Sequence, residues 1–138
     1  MAKSEDLVSP ELEERFRSEI VVWLTTVSPD GRPQSVPVWF SWDGEWFRIY
    51  SRPRNPKLRN IASNPKVGLH LRGTETGEEI VVVEGVAEIA PDLPPADREP
   101  AYVEKYRTHI ESLGYTPESM AGAYSEPIRI RPTAVREW

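Results

Sequence analysis

The sequence predicts a mainly β protein: a six-stranded antiparallel β-barrel with peripheral helices, one domain over residues 1–138. Three observations carry this expectation. Runs rich in β-branched and aromatic residues recur at Ile20–Val27, Arg32–Trp42, Trp46–Ser51, Lys66–Arg72, Glu79–Ala90 and Pro127–Trp138. Short turn signals, Ser28-Pro29-Asp30-Gly31 and Asp43-Gly44, join the first three as hairpins. Gly85 interrupts the long fifth run, as at the bends where sheets close into barrels.

In chain order, residues 1–8 are expected to be disordered. Ser9 then caps a short helix with Pro10 as its first residue, Glu11, Glu13 and Glu14 near its N-terminus, and Leu12 and Phe16 on one face. It should end near Ser18. Ile20–Val27 reads as a well-buried strand. In the second strand Val36, Val38, Phe40 and Trp42 share one face, and Ser35, Pro37, Trp39 and Ser41 the other. Pro37 lacks an N–H, which predicts an edge strand or a bulge. Trp46–Ser51 completes a three-strand meander. Asn55 and Pro56 cap and begin a helix whose apolar face is Leu58, Ile61 and Ala62, and Asn64-Pro65 stops it. Val67, Leu69 and Leu71 point inward from the fourth strand. After the turn Thr74–Gly77 and the long fifth strand, Pro91–Pro95 is a stiff linker. A helix follows over Ala96–Leu113, with Tyr102, Tyr106, Ile110 and Leu113 on one face and Gly114 past its end. Thr116-Pro117-Glu118 starts a helical turn. Pro132 predicts that the last strand is bulged or at an edge.

Composition narrows the function classes. The chain has no cysteine, which excludes disulfides, thiolate catalysis and Cys-metal sites. Its two histidines, His70 and His109, fall on different elements, so no His-rich metal site is expected. A net charge of −5 disfavours general nucleic-acid binding. With no signal-peptide pattern and no apolar run of membrane-spanning length, the expectation is a soluble, cytoplasmic protein without a membrane partner.

Against that acidic background one stretch stands out. Seven of the 17 basic residues, and none of the 22 acidic ones, lie between Trp46 and Thr74. They surround a strand, a Pro-broken turn and a helix start. Free backbone N–H groups and the positive end of the helix dipole would lie beside Arg54 and Lys57, an arrangement suited to a phosphate. The strand Gln34–Trp39 could line a flat ligand, with backbone groups left free at Pro37 and Trp39 as a wall. Protein acid–base candidates are few: Ser28 and Ser51 have no adjacent base, His70 reads as structural and His109 as solvated. Tyr124 and Ser125 could donate a proton, but nothing selects them, and the catalytic residues stay unassigned. An enzyme so equipped borrows its chemistry from a cofactor.

Two segments resemble a known superfamily. Thr26–Trp39 is similar to the opening hairpin of the pyridoxamine 5′-phosphate oxidase-like flavin/deazaflavin split-barrel proteins. Ser51-Arg52-Pro53-Arg54-Asn55-Pro56-Lys57-Leu58-Arg59-Asn60-Ile61, followed by Asn64-Pro65-Lys66-Val67, is the more specific match. The likeness spans Ile20–Ala90 and the last strand, and is greatest to the coenzyme F420-dependent reductases. It implies a six-stranded split barrel of the FMN-binding type, and a homodimer with two cofactor sites at the subunit interface. The cofactor would be F420, with FMN as the alternative, and a small unsaturated molecule would be the substrate in hydride transfer. Related alternatives are an FMN-dependent oxidoreductase and a non-catalytic flavin- or haem-binding protein, the latter using His70. By resemblance, Arg54, Asn55 and Lys57 hold the phosphate with Ser51 and Asn60 in support, and the ring lies along Val36, Pro37, Val38 and Trp39. Trp138 or Tyr124 of a second subunit covers the ring or shapes the substrate pocket. Which of Arg52, Arg54 and Arg59 touches phosphate is left open.

Overall fold

The two ends of the β-sheet are neighbours in the chain. In the computed structural model, which describes residues 7–138, the elements are α1 (Pro10–Ser18), β1 (Val22–Val27), β2 (Pro33–Val38), β3 (Ser41–Trp42), β4 (Phe47–Ser51) and α2 (Pro56–Ser63). They continue with β5 (Lys66–His70), β6 (Val81–Ile89), a 3₁₀ turn at Ala96–Arg98, α3 (Pro100–Ser112), α4 (Pro117–Ala123) and β7 (Glu126–Glu137). The antiparallel sheet runs β2-β1-β5-β6-β7-β4-β3. Its terminal strands, β2 and β3, are separated only by Trp39 and Phe40, so the sheet curls into a half-barrel with helices.

That link corrects the expected six strands to seven. The predicted strand Arg32–Trp42 breaks at Trp39-Phe40: β2 pairs with β1 and β3 pairs with β4. The expected meander is two hairpins that share one bent segment. The predicted face breaks with it. Phe40 and Trp42 are in the barrel core, Val36 is exposed, and Trp39 packs in a second cluster outside the barrel. A bend leaves main-chain groups without a ladder, and α3 supplies their partners. The Phe40 N–H donates to the Tyr106 hydroxyl at 2.9 Å, which donates to the Ile20 carbonyl at 2.6 Å. The Lys105 ammonium donates to the carbonyls of Phe40, 2.9 Å, and Phe16, 3.1 Å.

Local signals account for the rest. Ser9 caps α1 through the Leu12 N–H at 3.1 Å, and Leu12 and Phe16 plug the barrel end, Phe16 edge-on to Trp42 and Phe47. Full burial of such a side chain contributes about 2–3 kcal/mol. The expectation of disorder for residues 1–8 falls largely outside the described residues; Leu7 and Val8 pack against the barrel core. The β6–β7 register shifts between Glu84 and Gly85, and Gly85 pairs with Pro132. A side chain at Gly85 would meet Ile130 Cγ2 at 2.8 Å and the Arg131 carbonyl at 2.9 Å. The last strand is therefore bulged, and it lies inside the sheet between β6 and β4. The predicted helix Ala96–Leu113 is a 3₁₀ turn and then α3, because Pro100 lacks the N–H and clashes with the preceding turn. Tyr102, Tyr106 and Ile110 face inward as predicted. Leu113 lies past the helix end and is 60% exposed. No helix among the described residues is long and apolar enough to cross a membrane.

Candidate functional site

A cavity of about 240 Å³ opens between β2 and the α3–α4 hairpin. Pro37, Val38 and Trp39 form one wall, and Tyr102, Leu113, Met120 and Tyr124 the facing one; Tyr50 and Lys57 complete the lining. Trp39 is held flat against Tyr106, with ring centroids 4.4 Å apart and planes 2° apart. Two larger hollows of about 400 Å³ each lie elsewhere, between α1 and α3 beside Lys105 and on the outer face beside Trp23 and Arg72. The smaller cavity is the one where the basic helix start meets the aromatic strand.

The turn into α2 is built by Arg54 and Asn55. Arg54 adopts φ +64°, a left-handed conformation that disfavours a side chain and is found where a turn requires it. Asn55 is extended, and its side chain accepts the Lys57 N–H at 3.3 Å while its carbonyl accepts the Leu58 N–H at 3.0 Å. Pro56 has no N–H. The amides of Lys57 and Leu58 are therefore committed to Asn55, contrary to the expectation of free donors along the helix start. Charge for an anion rests on the side chains instead.

Lys57 is the side chain that fits. It is half-buried, and no hydrogen bond or ion pair to another described residue reaches its ammonium. Desolvation alone pulls its pKa below the ordinary lysine value. The contrast with the paired arginines is direct: Arg48 bridges Asp43 and Glu99, and Arg129 bridges Glu88 and Asp92. A partly desolvated, unpaired cation beside an apolar slot calls for an anionic ligand atom.

The other predicted residues divide. Pro37, Val38, Trp39 and Tyr124 line the cavity with Lys57. Tyr124 does so from the same subunit. Arg54 is exposed at the mouth of the turn, as is Arg59 on α2. Arg52 is engaged by the wall: it donates to the Tyr115 hydroxyl at 3.1 Å and lies over the Tyr124 ring at 4.7 Å. Ser51 is buried and its hydroxyl donates to the Arg52 carbonyl at 2.9 Å. Asn60 is fully buried, and its amide donates to Thr26 Oγ1 at 2.9 Å and Gln34 Oε1 at 2.7 Å, tying α2 to β1 and β2. Both shape the site from behind. Val36 is exposed on β2 and Trp138 pairs with Ile80, each outside the cavity lining. His70 stacks on Trp23 on the outer face of the sheet. His109 is half-buried, not solvated as expected, with its ring edge-on to Trp39 and Tyr106. Tyr50, Tyr102, Leu113 and Met120 were not legible as site residues, since the tyrosine spacing on α3 reads equally as a core-facing helix.

A family model described as pyridoxamine 5′-phosphate oxidase matches residues 8–138. The chain belongs to the pyridoxamine 5′-phosphate oxidase family. The split-barrel expectation is met at the same time. Among solved structures, one titled F420 reductase shares 28% identity with a TM-score of 0.67, covering 90% of this chain and 94% of that one. The haem storage protein HutZ from Vibrio cholerae shares 17% identity, with a TM-score of 0.66 over 95% of this chain and 94% of that one. A conserved hypothetical protein from Mycobacterium tuberculosis shares 23%, with a TM-score of 0.67 over all of this chain and 89% of that one. These last two show the fold alone. No curated protein matches the sequence.

Pyridoxamine 5′-phosphate oxidase family proteins bind flavin-type cofactors, and the residues present here fit such a group. Trp39, Tyr102 and Tyr124 give a flat, apolar slot, and Lys57 gives the unpaired cation that a phosphate needs. No histidine lines the slot. Desolvation raises the Tyr50 and Tyr102 phenols above their ordinary value, so neither puts an anion into the slot beside Lys57.

Proposed function

We propose that this chain is an oxidoreductase that uses coenzyme F420 for hydride transfer to or from an unsaturated small molecule, with FMN as the alternative cofactor. The observation that carries the reading is Lys57, an unpaired, partly buried cation at the end of an aromatic slot. The 28% identity to a structure titled F420 reductase and the surplus of arginines around the turn favour the deazaflavin, whose tail is longer and more acidic. When bound, the cofactor supplies the hydride chemistry. The chain binds and orients it: Lys57 and the exposed Arg54 take the phosphate, Asn55 fixes the turn, and Pro37, Val38 and Trp39 lie along the ring. The buried Met120 keeps water from its side of the slot.

The same reading includes a homodimer in the cytoplasm. About 240 Å³ is small beside the ~300–1,000 Å³ of ordinary ligand sites, so a second copy would complete the enclosure. β2 is exposed along nearly its whole length, with Pro37 opposite the exposed Trp23 of β1. Trp138 of the partner subunit remains the candidate cover. A haem-binding role has less support, because the slot is lined by no imidazole and His70 is stacked on Trp23.

Titration of the purified protein with F420 and with FMN tests the proposal. Colourless protein that binds F420 at micromolar level or tighter, and FMN more weakly, is the expected result. Yellow protein carrying FMN as isolated selects the alternative, and no binding of either ends the reading.

A further inference from the structure

The slot is surrounded by tyrosines, and all but one of the buried phenols are committed. The Tyr50 hydroxyl donates to the Pro94 carbonyl at 3.0 Å. The Tyr106 hydroxyl joins Phe40 and Ile20. Tyr115 accepts from Arg52, and Tyr124, half-buried, lies beneath the same guanidinium. Tyr102 differs. It is 4% exposed, it lines the slot, and its hydroxyl makes no hydrogen bond to another described residue.

Its ring is fixed nonetheless. Tyr50 meets it edge-on with centroids 5.0 Å apart, and Tyr106 lies 4.9 Å away on the next turn of α3. Burial pushes the phenol well above its ordinary pKa, with Tyr106, Tyr50 and Tyr124 adding to the rise. The group is thus a neutral, rigidly mounted donor. A donor that lines the slot without an internal partner is open to an acceptor brought in by a ligand.

We propose that Tyr102 is the hydrogen-bond donor to an oxygen acceptor of the conjugated ligand in this slot: a carbonyl, nitro or phenolate oxygen on an aromatic or unsaturated frame. Such a bond strengthens as negative charge builds on the oxygen, the general use of a preorganised donor in a dry site. The assignment rests on this slot being the ligand site, as proposed above, and adds the chemical class of what lies in it. That oxygen belongs to the substrate or to the cofactor ring.

Two measurements on the apo protein test it. The first compares melting temperatures of Tyr102→Phe and Tyr50→Phe. Tyr102→Phe should melt at or above the wild-type temperature, and Tyr50→Phe below it, because only the second loses an internal bond. A melt several degrees lower for Tyr102→Phe overturns the proposal. The second follows 4-nitrophenolate by equilibrium dialysis and by the shift of its absorption band. The wild type should bind it with a shifted band, and Tyr102→Phe should bind about tenfold or more weakly without the shift. A wild type that does not bind the probe, or a variant that binds it equally well, overturns the proposal. Repeated with FMN or F420 present, retained probe assigns the phenol to the substrate, and displaced probe assigns it to the cofactor ring. Neither apo measurement requires a cofactor. A chain that binds neither F420 nor FMN therefore loses the proposed function while this assignment stands or falls by itself.

Discussion

Trp39 and Tyr106 lie face to face, 4.4 Å between centroids and 2° between planes, and the Tyr106 hydroxyl ties Phe40 of the bend that carries Trp39 to the Ile20 carbonyl ahead of β1. One buried side chain thus orients the wall of the slot and satisfies the backbone where the sheet's two ends meet. Tyr106→Phe keeps the stack and removes the hydroxyl. It should destabilise the fold by about 1–3 kcal/mol, since the Phe40 N–H and the Ile20 carbonyl lose a partner. The midpoint of urea unfolding reads this, and an unchanged midpoint would show that the bend has other support.

Lys105 gives the fold a pH dependence. Desolvation lowers its pKa from 10.5 to about 8, opposed in part by Glu19. In the unfolded chain the ammonium keeps its proton to higher pH. Between about pH 8 and 10.5 the unfolded state binds more protons than the native one, so this group makes stability rise with pH across that window. Below pH 8 both states are charged and the desolvation penalty is fully present. Lys105→Met should flatten this part of the stability–pH curve, measured as unfolding midpoints from pH 7 to pH 10.

Lys57→Ala should weaken binding of F420, or of FMN, by about 1.5–3 kcal/mol, the worth of one charge-assisted hydrogen bond. The melting temperature should hold or rise, because the ammonium has no internal partner to lose. Calorimetric titration of wild type and variant checks both halves. Equal affinity in the variant would move the phosphate site away from the α2 turn.

Trp23→Glu tests the second copy. The indole is 36% exposed on the outer face, stacked only on His70. A carboxylate there is tolerable in a monomer and unfavourable in a desolvated interface. Light scattering after size exclusion should show a dimer for the wild type and a monomer for the variant, with unchanged circular dichroism. A monomeric wild type would remove the homodimer from the proposal.

The site was legible in the sequence where its chemistry is charge and capping. Asn55-Pro56 marked the helix start, and the run from Arg48 to Arg72 marked the cation, both written in adjacent residues. The sequence could not show that Asn55 consumes the first amides of α2, that Asn60 faces Thr26 and Gln34 instead of solvent, or that Tyr102 is the buried phenol whose hydroxyl has no hydrogen-bond partner among the described residues. Those depend on which distant side chains arrive within about 3 Å.

The same division holds for the fold. By itself the sequence determined the helix starts at Ser9 and Asn55, the glycine at the β6–β7 bulge and the turns, because caps and turns are satisfied within a few residues of the chain. Only the tertiary structure decided that one predicted strand breaks at Trp39-Phe40 to become both edges of the sheet. It also decided that β7 runs through the sheet interior despite Pro132. Those outcomes are set by ladder bonds and burial between segments far apart in sequence, where Tyr106 and Lys105 of α3 stabilise a bend that no neighbouring residue encodes.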